Sequence, residues 1–185
     1  MPSPLGHALA GAAVGWALAG PAGGPGQQTL RHLWHHGGLF ALLAIAPDTD
    51  LLLFAVHRGP SHSLTAAAVV GLAVATLAGK RLGLAAGAAY ASHVGLDWLG
   101  TDTSPPIGLM ALWPFTREYY ESSLHLFHAI SRRYWSPQFW EQNLRAVGWE
   151  LLILLPPAGL VLWLRLSERQ PFASRRAGKG ESGRS

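Results

Sequence analysis

Residues 38–63 read GLFALLAIAPDTDLLLFAVHRGPSHS. A run fit for lipid stops at Pro47, places Asp48 and Asp50 side by side, resumes as LLLFAV, and ends in a turn carrying His57, Arg58 and His62. Two carboxylates this close inside an apolar run repel each other and resist desolvation unless a cation neutralises them. Ionisable groups at the edge of a membrane segment mark a function or a paired partner. The stretch therefore predicts a broken, buried helix whose polar interruption does chemistry.

The rest of the chain has the same character. Of 185 residues, 49% are hydrophobic and only 13% charged, far fewer charges than the roughly 25% of ordinary soluble domains. Besides 38–56, apolar stretches occupy 5–19, 64–79, 82–99 and 147–166, rich in Ala, Leu and Gly and without period-2 alternation. All read as helices. The expected fold is all-α: an integral membrane bundle of four to five apolar helices, with an interfacial, amphipathic region between Thr101 and Arg145. Pro156 and Pro157 predict a kink in the last helix. The first stretch is short for a span, and with no basic residues before it and His7 inside it, it reads as retained rather than as a signal peptide.

Charge bounds the partners and the orientation. From Arg165 to Ser185, six basic residues stand against two acidic ones, which accounts for the whole formal charge of +4. Residues 167–185 read as a disordered basic tail behind a membrane-embedded domain of 1–166, and no nucleic-acid partner is expected. Lys80, Arg81 and the tail agree on a cytoplasmic face. That puts 101–146 and the turn at 57–63 on the opposite side of an inner, plasma-type bacterial membrane.

With no cysteine, any metal must be held by His, Asp or Glu. His93 and Asp97 lie four apart, one turn along one helical face, able to share an ion or to hydrogen-bond each other. Asp48 reads as a ligand; Asp50 reads either as a helix cap or as a proton acceptor. His57 and His62 converge only on a turn, where Arg58 can grip a phosphate or carboxylate and Ser63 can cap the next helix. His7 alone reads as packing, but in this company it joins the set. His7, Asp48, His57, His62, His93 and Asp97 suit a divalent metal, zinc first, with manganese or iron as alternatives. His32, His35 and His36 read as interfacial; His125 and His128 fall on one helical face, either reaching the pocket or belonging to an amphipathic surface helix.

The order LGHALAG, PDTD, HRGPSHS, SHVGLD, WPF over residues 5–115 resembles the YdjM-like family of membrane-bound metal-dependent hydrolases. More distantly, it resembles the zinc-dependent phospholipase C / P1 nuclease superfamily. The resemblance implies a helical hydrolase with those six residues as metal ligands and a phosphoester or lipid-linked substrate. In such an enzyme Asp50 or an uncoordinated His would take a proton from water and Arg58 would stabilise negative charge on phosphate. Two rivals remain: a divalent-cation transporter with an intramembrane His/Asp site, and a non-catalytic membrane adaptor.

Overall fold

The structure, a computed structural model, describes residues 1–20, 30–53 and 57–167. The basic tail, the Gly/Pro-rich stretch after Gly20 and residues 54–56 lie outside that range. Among the described residues the fold is all-helical: α1 (Pro4–Ala19), α2 (Leu30–Ile45), a 3-10 turn (Ala46–Thr49), the short α3 (Asp50–Leu53), a second 3-10 turn (Pro60–His62), α4 (Leu64–Ala78), α5 (Lys80–Leu99) and α6 (Phe139–Ser167). One of these, α6, is long and apolar enough to cross a membrane by length and composition, while α1 and α4 are shorter apolar helices.

Small residues set the packing. A Cβ at Gly15 would lie 2.0 Å from the Phe40 ring, and one at Gly11 would lie 2.3 Å from the Ala44 methyl and 2.6 Å from the Phe40 carbonyl. The backbones of α1 and α2 thus touch, and Phe40 fills the gap, buried with Ala19, Ala85, Ala86 and Ala89. On the other side α4 and α5 approach at Gly71, Gly83 and Gly87. Bundles in lipid gain stability from such close approach, because no hydrophobic force separates helix from acyl chain.

Three points bear on the expectations. The second helix begins at Leu30, so His35 and His36 lie inside it and His36 packs edge-on to Phe40; the His32 side chain is outside the described set. Pro156 and Pro157 lie within α6, which runs through both; in lipid a helix is the form that satisfies the backbone, and neighbours tolerate proline within it.

The third point is a correction: His125 and His128 do not share a helical face. Residues 101–138 are irregular, with isolated bridges pairing Gly100 with Phe127 and Leu109 with Tyr120. The reason lies at the end of α5, whose last carbonyls need donors. Ser122 N–H serves Trp98 and Leu126 N–H serves Leu99, so this segment wraps the helix end instead of forming its own helix.

Both ends of α1 are held by α6. Ser3 caps α1 by accepting from Gly6 N–H, and its own N–H and hydroxyl donate to the buried Glu150 carboxylate. At the far end Arg165 donates to the carbonyls of Trp16 and Ala17, and Arg81 donates to Leu18.

Candidate metal centre

Four local decisions bring the polar groups together. Ser3 starts α1 so that His7 falls one turn in. Pro47 ends α2 and turns Asp48 inward. The turn at 57–63 is pinned by Tyr90 Oη donating to the Ser61 carbonyl at 2.8 Å, and Ser63 caps α4 as expected, accepting from Ala66 N–H at 3.0 Å. The last turns of α5 supply His93 and Asp97.

The six residues singled out as ligands all meet. His7, His93 and Asp97 form one buried group able to hold a metal ion, and Asp48, His57 and His62 form a second. His7 Nε2 and His93 Nε2 each lie 3.3 Å from an Asp97 oxygen. His62 Nε2 lies 3.6 Å from Asp97 Oδ2 and 3.5 Å from Asp48 Oδ1, and His93 Nε2 and His57 Nε2 are each 3.8 Å from that same Asp48 oxygen. Two donors about 2.1 Å from a tetrahedral zinc ion stand about 3.4 Å apart, so the spacing is that of neighbouring ligands.

The hydrogen bonds point the same way. His93 Nδ1 contacts the Ala44 carbonyl at 2.7 Å and His57 Nδ1 contacts Asp50 Oδ1 at 2.6 Å. A ring that donates from Nδ1 turns an Nε2 lone pair inward, the arrangement found behind metal-ligating histidines. Correspondingly, His7 Nε2, His62 Nε2, His93 Nε2, Asp48 Oδ1 and both Asp97 oxygens are buried with no hydrogen-bond partner among the described residues. Buried polar atoms without partners are rare and costly. Six around one point suit the coordination sphere of a cation.

Asp50 sits behind the ring of donors. Its oxygens meet His57 Nδ1, His62 Nδ1 at 3.2 Å, the Ser61 hydroxyl at 2.9 Å and Arg58 N–H at 3.0 Å. Burial opposes charge on His62, yet Asp48 and Asp50 push its pKa up to about 9.

A family model described as YdjM inner membrane protein matches residues 1–170. The chain belongs to the YdjM inner membrane protein family. No curated protein and no solved structure matches it. The match runs past the motifs into α6, the helix that anchors Ser3, so the family unit covers the whole described bundle.

In this YdjM family member Arg58 has a role that its sequence position does not reveal. Its φ of 65° is left-handed, a conformation that non-glycine residues seldom adopt. It pairs with Asp102 and donates to the Ser104 carbonyl at 2.9 Å, while Asp102 also accepts from Gly108 N–H at 3.0 Å. Arg58 thus organises the segment after α5, and it lines a cavity of about 530 Å3 together with His57. Asp102, Ser61 and Glu150 were not singled out from sequence. Ser61 lay within the HRGPSHS motif; Asp102 and Glu150 gave no local signal, because their partners are 44 and 147 residues away.

Proposed function

We propose that this protein is a membrane-bound, metal-dependent hydrolase acting on a phosphoester of a lipid or lipid-linked substrate. The observation that carries the reading is the set of orphaned donors on His7, His62, His93, Asp48 and Asp97, facing one another in an apolar bundle. Nitrogen and oxygen donors in this mixture suit zinc, with manganese or iron next. Bound there, a divalent ion supplies Lewis acidity to water and to a phosphoryl oxygen.

The chain's own groups supply the rest. Asp50 fixes the rings of His57 and His62 through their Nδ1 atoms, a positioning role that its four contacts favour over free proton acceptance. His57 is the ring of the donor set that also reaches the cavity wall, so the centre and the cavity meet at its edge. Arg58 brings positive charge to the same cavity while holding the segment around Asp102.

The orientation expected from sequence gains support from Arg81 and Arg165, which gather at the end of α1 opposite His7. With that basic end cytoplasmic, the centre opens away from the cytoplasm. A transporter site belongs near the bilayer midplane, between gates. Here the donors lie at one end of the bundle, beside arginines that repel a passing cation.

Metal content of the purified protein, followed by hydrolysis of short-chain lipid phosphates, tests the reading. His62→Ala and Asp97→Asn should lose bound metal and cut turnover by at least about a hundredfold, on the scale of losing a catalytic group. Full activity in both variants would remove the proposal.

A further inference from the structure

The cavity beside the metal centre carries charge that the hydrolase reading does not use. Besides His57 and Arg58 it is lined by Arg132, Arg133, Gln138 and Gln142. Arg58 spends its charge on Asp102. Arg132 and Arg133 have no carboxylate partner among the described residues, and Arg132 Nη2 lies 3.3 Å from His57 Nε2. With its Nδ1 proton directed to Asp50, His57 Nε2 accepts from Arg132, which leaves the other N–H groups of Arg132 and those of Arg133 without an acidic acceptor among the described residues.

Their position is fixed from behind. Ser131 N–H donates to Asn143 Oδ1 at 2.7 Å, Asn143 Nδ2 returns a bond to the Ser131 carbonyl at 3.0 Å, and Gln142 donates to the Ala129 carbonyl. The backbone carrying both guanidiniums is thus strapped to the first turns of α6. Buried in the cavity wall, Arg58 Nε has no hydrogen-bond partner among the described residues, a further donor beside the same space.

We propose that this cavity binds a doubly charged phosphate, the monoester or diphosphate end of a lipid, held by Arg132 and Arg133 against His57. The proposal rests on the hydrolase reading of the adjoining centre and names its substrate class. Two uncompensated guanidiniums match a dianion and leave a singly charged diester one charge short; planar guanidinium forks also suit phosphate oxygens geometrically. The lipid origin follows from the collar next to the cavity: Tyr134, Trp135 and Trp140 are 77%, 71% and 71% exposed, and such aromatic residues settle at head-group depth. Gln138 and Gln142, donors and acceptors at once, line the space around the phosphate.

The test is calorimetric titration of the full-length, metal-loaded protein in detergent with three probes: dihexanoyl phosphatidic acid, dihexanoyl phosphatidylglycerol and inorganic phosphate. The monoester lipid should bind about tenfold tighter than the diester, and Arg132→Gln and Arg133→Gln should each weaken it about tenfold, the scale of one charge-assisted bond. Arg133 is exposed and touches no donor of the centre, so bound metal in Arg133→Gln should stay at the wild-type level. Arg132→Lys should restore only part of the affinity, since the fork is lost. Inorganic phosphate binding much more weakly than the monoester lipid supports the lipid source; equal binding overturns it in favour of a soluble phosphate. Unchanged affinity in both glutamine variants, or a diester bound as well as the monoester, overturns the pocket. Binding that behaves as expected without turnover overturns the hydrolase reading and leaves the pocket standing.

Discussion

His62 concentrates the electrostatics of the centre in one ring. Its Nδ1 faces Asp50 and its Nε2 faces Asp48 and Asp97, so a proton on it is held by carboxylates on both sides. In the metal-free protein its pKa of about 9 exceeds the ordinary 6.5. A group raised on folding stabilises the fold fully below its unfolded value and loses that contribution as the pH rises through its folded value. The Tm of metal-free protein should therefore fall between pH 6.5 and 9, and His62→Gln should flatten that slope; a slope unchanged in the variant would show that the charge resides elsewhere. A metal ion reverses the dependence, since it needs the neutral ring and must displace the proton. At this scale the sequence was informative, because ligand-type residues are scarce in an apolar chain and each one stands out. Asp50 was harder to read: its neighbours in sequence suggested a cap or a base, and only the fold reveals four donors around it.

The helices turn that chemistry into a question of packing. The carbonyl that orients His93 belongs to Ala44, and Ala44 is the residue a Cβ on Gly11 would strike at 2.3 Å. Gly11→Val should push α2 from α1, cost about 1 to 3 kcal/mol as overpacking does, and weaken metal binding although no ligand is altered. Gly38→Ala, on the same helix pair with nothing within 4 Å of the new methyl, should leave both stability and metal content at wild-type values. Thermal melts with metal analysis on the two variants separate these outcomes. Three of the five apolar stretches, 5–19, 64–79 and 82–99, became helices within a few residues of the expected ends, whereas α2 and α6 start early, at Leu30 and Phe139. Those extra turns are polar, so hydropathy alone could not include them. The segment after α5 was misread for a different reason: its aromatic and charged pattern is amphipathic, but the demand of the Trp98 and Leu99 carbonyls for donors is a tertiary fact.

Across the whole molecule, charge is sorted by end. Arg81 and Arg165 converge on the final carbonyls of α1, whereas Arg58 lies with the centre at the other end. The absence of native cysteine makes the resulting topology simple to read. A membrane-impermeant maleimide applied to intact spheroplasts should label Phe115→Cys, at a position 89% exposed, and should reach Lys80→Cys only after permeabilisation. The reverse pattern would invert the orientation and put the centre on the cytoplasmic side.

The double fastening of α1 has a consequence for biosynthesis. Every donor of the centre has been synthesised once Asp97 is made, yet the helix that presents His7 is tied down by Glu150 and Arg165, which follow some fifty and seventy residues later. Until the final helix partitions from the translocon, His7 rides on an unfastened segment. Closure of the six-residue cluster is thereby deferred to the end of translation, and a nascent chain stalled before Glu150 carries its His and Asp side chains on a helix not yet fastened.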